Sequence, residues 1–387
     1  MMDVAADRDE PAANQGYGLA LSGGGMRAAV FHLGVLRCLA TRSALEKVTR
    51  LSTVSGGSLV AGAVISASGL KWPASSVYLT TTYPALRELL TTRDLFSLRA
   101  LGVGGVLRNN IRLLHGRANI LVDLLHHQWK IDAKLSDLPE SPVWWINTTC
   151  IETGKNWRFS KREMGDWKFG RHYAPPFDLA EAMAASAAVP YVIGALQFKI
   201  PQSGWYATDP ATRAPLNPII PSLNTVRLWD GGAYENLGLE PLYKASQGLI
   251  GCDFMICSDA SGPLPTEQSR PLAKLLKGQL ASPRLFDVTS DQIRALRSRM
   301  FMDSVTRGDI RGVLLRMGNS MRDLDIKTGV TRPAAEYDNF LSDKEAAMAA
   351  TYPTDLNSLS PIAFDRIARH GHEVADATLT AYAPQFS

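Results

Sequence analysis

The sequence predicts an α/β fold in which helices flank a central, largely parallel sheet. Two consecutive units of strand, glycine turn and helix indicate this fold, because a helix that connects two neighbouring strands makes them parallel. Residues 17–22 and 48–54 are the predicted strands of these units, and a glycine-rich turn follows each of them. Two further short strands are predicted, each ending in an aspartate, Asp230 and Asp259.

The chain has 387 residues, 45% hydrophobic and 20% charged, and can therefore bury a large core without disulfides or a structural metal. Its formal net charge of +4 is too small to indicate nucleic acid as a partner. The four cysteines are scattered, and Cys252 and Cys257 lack the second Cys or His pair of a zinc site. We expect free buried thiols in a reducing compartment and no cofactor or metal.

We expect a mobile polar tail over residues 1–15 and a single domain over residues 16–387. The acidic start of the chain lacks the basic and apolar regions of a secretory signal. No apolar stretch approaches the roughly 20 residues that cross a bilayer, so we expect a cytoplasmic protein. Within the domain, the amphipathic residues 95–130 are a candidate lid, and helices are predicted within residues 320–387.

Periodicity and turn residues place the remaining elements. A helix over residues 26–40 follows the first strand, and one over 58–67 follows the second. The later elements are strands over 143–149, 157–160, 225–229 and 254–258, and helices over 178–188 and 360–369. Pro190 stops the alanine-rich helix, because proline cannot continue helical hydrogen bonding.

Ser55 occupies a tight turn between a predicted strand and a predicted helix. Such a turn exposes the serine hydroxyl at the positive end of the helix, as in the nucleophile elbow G-x-S-x-G. Thr53 stands in place of the first glycine of this pattern, and Gly56 and Gly57 are the small neighbours that the turn requires. An ordinary serine cap at a helix start is the alternative interpretation of this segment alone.

The glycine-rich turn after the first strand offers backbone amides to a negative charge. Gly23, Gly24, Gly25, Met26 and Arg27 lie where this turn opens a helix. Such amides form the oxyanion hole of a hydrolase, and they also suit a phosphate or a dinucleotide. However, the pattern G-x-x-x-x-G-K-[ST] is absent, and no acidic residue ends the next strand as a dinucleotide site requires. The sequence therefore favours an oxyanion hole.

Asp230 is a candidate general base because it ends a predicted strand. Gly231 and Gly232 follow it and allow another backbone to approach. An aspartate that only opens a turn would look similar. The order of three glycine-flanked strand ends, with amides first, then serine and then aspartate, favours a common site.

These segments resemble the patatin-like phospholipase family, whose pattern is a glycine-rich oxyanion loop, a G-x-S-x-G serine and a D-G-[GA] aspartate. The resemblance covers residues 17–260. The matching segments are SGGGMRAAVFHLGVL, STVSGGS, LWDGGAYENLGL and, for the family's A-S-x-A-x-P segment, ASAAVP. Two positions depart from the pattern, since Ala28 ends the oxyanion motif and Thr53 begins the elbow.

The resemblance implies a patatin-like three-layer fold and a lipid acyl hydrolase of phospholipase A or lysophospholipase type. It implies that Ser55 attacks the ester carbonyl while Asp230 accepts the serine proton. The amides of Gly24, Gly25 and Met26 would face the developing oxyanion. The implied substrate is a phospholipid or another acyl-ester lipid, and neither a metal nor an organic cofactor is implied.

Two other functions stay open from the sequence. A Ser/Asp/His triad esterase would have the same chain order, with His370 or His372 joining Ser55 and Asp230. A catalytically silent relative would instead use its glycine loop to bind an anionic lipid or a nucleotide. His32, in the helix after the glycine turn, is interpreted as a packing residue.

A stretch rich in basic residues is a candidate surface for contact with a membrane. Residues 268–316 carry ten basic and four acidic side chains. This surplus either faces anionic lipid headgroups or is a solvated surface. Together with the amphipathic residues 95–129, it favours transient contact with a membrane and no permanent anchor. The oligomeric state does not follow from the sequence.

Overall fold

The computed structural model describes residues 16–95, 117–190, 193–209, 214–264 and 283–383. The predicted tail, most of the candidate lid and the first part of the basic stretch lie outside the described residues. Among the described residues, no helix is both long enough and apolar enough to span a membrane.

The helices include the predicted ones and three more, over residues 75–77, 83–92 and 283–306, that the sequence analysis did not identify. They are α1 (Gly25–Thr41), α2 (Gly56–Ala67), α3 (Ser75–Val77), α4 (Tyr83–Thr92), α5 (Arg117–Trp129), α6 (Leu179–Ser186), α7 (Pro283–Thr306), α8 (Met321–Thr328), α9 (Asp343–Ala350) and α10 (Pro361–Tyr382). A π-helical turn, Tyr78–Thr82, connects α3 to α4.

The strands include every predicted one and several short strands that the sequence analysis did not identify. They are β1 (Tyr17–Leu21), β2 (Val48–Val54), β3 (Val143–Cys150), β4 (Asn156–Phe159), β5 (Glu163–Asp166), β6 (Gly170–Tyr173), β7 (Leu196–Lys199), β8 (Trp205–Thr208), β9 (Pro215–Ile219), β10 (Thr225–Asp230), β11 (Tyr243–Lys244), β12 (Gly248–Leu249), β13 (Phe254–Asp259) and β14 (Gly312–Arg316).

The central sheet is mixed, and its middle is parallel as predicted. Strands β14, β13, β1, β2 and β3 are parallel neighbours in that order. An antiparallel series, β4, β5, β6, β8 and β9, continues the sheet from β3. Helices pack against the parallel part, so the predicted α/β class is confirmed, and the antiparallel extension is an addition to it.

The register around β3 brings two strand ends together. Val54, the last residue of β2, lies opposite Asn147 of β3, and Asp230, the last residue of β10, lies opposite Thr148. Because β4 occupies the other side of β3 over this stretch, β2 and β10 must share one side. The two strands therefore run toward each other, and their carboxyl ends meet beside β3.

Close helix packing explains why the last helix continues beyond its predicted end. The helix predicted over residues 360–369 continues to Tyr382 as α10, so His370 and His372 lie inside a helix and not at its end. Glycines let α10 contact α1 at the backbone. A Cβ on Gly34 would lie 1.9 Å from the Ala368 carbonyl oxygen, and a Cβ on Gly371 would lie 2.1 Å from that of Phe31. Gly371 is therefore a packing residue, and it does not terminate the helix.

Candidate active site

Ser55 lies at the sharp turn between β2 and α2. Its φ of 51° and ψ of −118° form a backbone conformation that non-glycine residues adopt rarely and that is typical of functional turns. The neighbouring glycines are required by close approach. A Cβ on Gly56 would lie 2.2 Å from the Gly25 carbonyl oxygen, and a Cβ on Gly57 would lie 2.4 Å from that of Leu21. Thr53 is extended within β2, so its side chain does not conflict with the turn.

Asp230 meets Ser55 at the end of β10. Its carboxyl group is buried and accepts a hydrogen bond of 2.7 Å from the Gly232 amide, and the neighbouring Ser55 side chain lowers its pKa as a hydrogen-bond donor does. Burial raises the pKa of Asp230 from 3.8 to about 6, and these two donor groups offset this rise only in part. A Cβ on Gly231 would lie 2.5 Å from the Asn147 carbonyl oxygen, which explains the need for glycine at this position.

The glycine-rich turn after β1 reaches the same place. Two of its backbone amides are already engaged, because Gly23 donates to the Asn236 carbonyl at 3.1 Å and Met26 donates to the Asp355 carbonyl at 2.9 Å. The amides of Gly24 and Gly25 have no hydrogen-bond acceptor among the described residues. The Met26 amide, which the resemblance placed among the oxyanion donors, is therefore already paired in this structure, and the candidate donors are Gly24 and Gly25.

Arg27 anchors the turn to a segment that the sequence analysis missed. Its Nη1 donates to the Tyr352 carbonyl at 2.8 Å, and burial lowers the pKa of its guanidinium to about 10. The Nε–H group is buried and has no hydrogen-bond partner among the described residues. Residues 351–357, between α9 and α10, thus hold the oxyanion turn through two backbone carbonyls, those of Tyr352 and Asp355.

A cleft of about 590 Å³ opens above these groups. The candidate nucleophile, base and amides lie at one wall, and residues 351–357 form another. The N-terminal half of α7 contributes Phe286, Ser290 and Arg294. Arg294 also forms an ion pair of 3.0 Å with Asp259, which is fully buried, so α7 is fixed to the carboxyl end of β13.

Asn236 is a further cleft residue to which the sequence analysis assigned no role. Its side-chain amide donates to Ser261 Oγ at 3.1 Å and, more weakly, to the Gly23 carbonyl at 3.4 Å. It therefore connects the loop after Asp230 to the oxyanion turn. Its place within the segment LWDGGAYENLGL was the available sequence signal.

The histidines lie elsewhere. His32 is buried, with Nε2 2.9 Å from the Ser22 carbonyl oxygen and Nδ1 2.9 Å from Ser258 Oγ, and burial lowers its pKa to about 4. His370 accepts a hydrogen bond from the Gly318 amide, and burial lowers its pKa to about 4 as well. No histidine among the described residues lines the cleft, which argues against the triad interpretation. The described part of the chain also contains no group of acidic, histidine or cysteine side chains placed to hold a metal ion.

Comparison with known proteins agrees with the fold. The sequence profile described as "Patatin-like phospholipase" matches residues 19–243, more than half of the chain. Human GIVD cytosolic phospholipase A2 has a similar structure, with a TM-score of 0.58 and 15% sequence identity over 96% of this chain. Its complex with methyl gamma-linolenyl fluorophosphonate aligns with a TM-score of 0.53 and 16% identity, also over 96% of this chain.

These structural similarities have a limited scope. The chain spans 59% of the human phospholipase in the first comparison and 58% in the second. At such low identity, the likeness establishes the fold and not the chemistry. No match was found among curated protein sequences.

Proposed function

Because this chain belongs to the patatin-like phospholipase family, we propose that it hydrolyses carboxylic esters of membrane lipids through a Ser55/Asp230 dyad. The observation that carries the proposal is the buried carboxyl group of Asp230, which lies beside the Ser55 side chain at the wall of a cleft. A nucleophile with a base next to it is the minimum that acyl transfer requires.

The proposed reaction has two steps. Ser55 Oγ attacks the acyl carbonyl, Asp230 accepts the hydroxyl proton and returns it to the leaving alcohol, and an acyl-enzyme forms. Water then attacks this ester, with Asp230 as the base again, and the fatty acid leaves. A pKa of about 6 suits the base, because the carboxylate is ionised at neutral pH and is more basic than an exposed aspartate.

The amides of Gly24 and Gly25 are the proposed oxyanion donors. They lie at the start of α1, where unpaired amides and the helix dipole both favour negative charge. Gly25 has a φ of 61°, so this turn conformation favours glycine. Losing one such donor typically costs about 2.7–4 kcal/mol of transition-state stabilisation.

The cleft and its surroundings support the proposed substrate class. The buried guanidinium of Arg27 lines the cleft and is suited to a phosphate near the ester, which favours a phospholipid or lysophospholipid. On α7, Leu285 and Leu296 are 71% and 53% exposed and lie on one face of the helix beside Arg299. This combination supports transient contact with a membrane surface.

The test is incubation of the protein with a mixed phospholipid extract, followed by mass spectrometry of the released fatty acids and lysolipids. We expect release by the wild type and none above background by Ser55→Ala, with unchanged folding by circular dichroism. Binding of lipid or nucleotide without release by the wild type would instead favour a catalytically silent module. The lysolipids that accumulate also identify the ester position that is cleaved.

A further inference from the structure

The strained backbone at Ser55 is held by a hydrogen bond from outside the elbow. The Ser55 amide donates to Ser186 Oγ at 3.0 Å, and both residues are buried. Ser186 ends α6, in the segment ASAAVP, whose role the proposed reaction does not explain. A non-glycine residue with positive φ persists only where its surroundings fix it, so this contact is a candidate for that constraint.

Ser186 is part of a buried hydrogen-bond chain with a fixed direction. The Trp144 indole N–H, which can only donate, contacts Thr53 Oγ1 at 2.9 Å. Thr53 and Ser58 hydroxyls are 2.8 Å apart, as are those of Ser58 and Ser186. The Ser186 hydroxyl donates to the Asn147 carbonyl at 2.7 Å, and a carbonyl can only accept.

Each hydroxyl has only one hydrogen to donate. The indole N–H at one end of the hydrogen-bond chain and the carbonyl at the other end therefore determine which group donates in every bond between them. Because Ser186 donates to a carbonyl, Ser58 must donate to Ser186, and Thr53 must in turn donate to Ser58. Ser186 Oγ therefore accepts from Ser58 and from the Ser55 amide and donates once. All of its hydrogen-bonding capacity is used, so its position and orientation are fixed.

The same segment also holds the base. Two residues beyond Ser186, the Ala188 carbonyl accepts a hydrogen bond of 2.9 Å from the Asp230 amide. Residues 186–188 thus bind the backbone amides of both Ser55 and Asp230. A shift of this segment would change the separation of the two reacting side chains.

We propose that Ser186 is a positioning residue that holds the nucleophile elbow in its reactive conformation by accepting the Ser55 amide proton. This inference rests on the proposed function. Ser186 is fully buried and is not a lining residue of the cleft, so it acts through Ser55 and not on the substrate. Loss of its oxygen leaves a buried amide unpaired and frees the strained turn to relax.

The test compares Ser186→Ala with Ser304→Ala in the hydrolysis of a chromogenic acyl ester. Ser304 is a matched control, since it is a buried serine whose hydroxyl lies 2.8 Å from that of Tyr243, and it does not line the cleft. Urea denaturation gives the stability of each variant. For Ser186→Ala we expect kcat to fall by about 10- to 100-fold with KM unchanged. For Ser304→Ala we expect a loss of stability with kcat and KM both unchanged.

Each other outcome overturns the inference. A wild-type kcat in Ser186→Ala shows that the contact does not position the nucleophile, and an equal loss of kcat in Ser304→Ala shows a general effect of instability. If Ser186→Ala does not fold, Ser186→Cys replaces it. A thiol is a weak acceptor, so kcat should fall by at least about threefold, and a wild-type rate overturns the inference. A wild type that hydrolyses no ester overturns the proposed function instead, and the inference with it.

Discussion

Replacing Asp230 by asparagine should make the protein more stable at neutral pH while it sharply lowers kcat. The carboxyl group is buried, and burial raises its pKa from 3.8 to about 6. A folded-state pKa above the unfolded value means that the stabilising contribution is complete below pH 3.8 and is lost as the pH rises through about 6. Above that pH, the folded protein must hold a buried anion. Asparagine has no charge to hold, and its amide oxygen can still accept the Gly232 hydrogen bond.

The expected magnitude follows from the size of the pKa difference. Roughly two pKa units correspond to about 3 kcal/mol in the free energy of unfolding. Asp230→Asn should therefore gain about 2.4 kcal/mol of this relative to the wild type between pH 4 and pH 7. The same substitution removes the general base, so kcat should fall by about 10²- to 10⁴-fold.

Urea denaturation of both proteins at several pH values between 4 and 8 measures this difference. Every other titrating group is present in both proteins, so its contribution cancels in the comparison. A stability difference that stays constant over this range would refute the assignment of a raised pKa to Asp230. A stability difference that increasingly favours the wild type as the pH rises would refute this assignment as well. In the wild type, kcat/KM should also decline below about pH 6, where the base becomes protonated.

Three other substitutions test separate parts of the account. Gly25→Ala places a Cβ 2.5 Å from a backbone oxygen at a φ of 61°, and initial rates should show kcat lower by about 10²- to 10³-fold. His370→Ala should keep wild-type kcat and KM in the ester assay, and a loss of hydrolysis in the folded variant would restore the triad interpretation. Arg294→Met leaves the Asp259 carboxylate buried without its 3.0 Å partner, so urea denaturation should show a loss of about 3–5 kcal/mol. Arg307→Met, which removes an exposed arginine, is its control and should change stability little; equal losses in both variants would contradict the importance of the buried pair.

Most of the parallel part of the fold could be predicted because local sequence specifies it, although β14 was not identified. The buried apolar run of β1, the β-branched residues of β2 and the abrupt glycine turn after each mark these strands without reference to the rest of the chain. The antiparallel extension could not be predicted in the same way. Strands such as β5 and β6 have four residues each, and their pairing partners, more than their composition, decide their conformation.

The candidate site likewise combines residues that local sequence reveals with contacts that only the tertiary structure determines. Ser55 and Asp230 are recognisable because each ends a strand beside glycines, and the register of β3 then brings them together. Which glycine-loop amides remain unpaired depends on Asp355, more than 300 residues away in the sequence, and no local pattern reveals that contact. The role of Ser186 also depends on tertiary hydrogen bonds, although its segment was recognised.

The most direct test of the proposed dyad is covalent labelling with a long-chain alkyl fluorophosphonate. Such a reagent phosphonylates a serine only where a base and an oxyanion hole activate it. Tandem mass spectrometry of the digested wild type should locate one adduct on Ser55. Ser55→Ala should remain unlabelled, and Asp230→Asn should react at least about 100-fold more slowly. An adduct on another residue, or labelling of Ser55→Ala at the wild-type rate, would contradict the account.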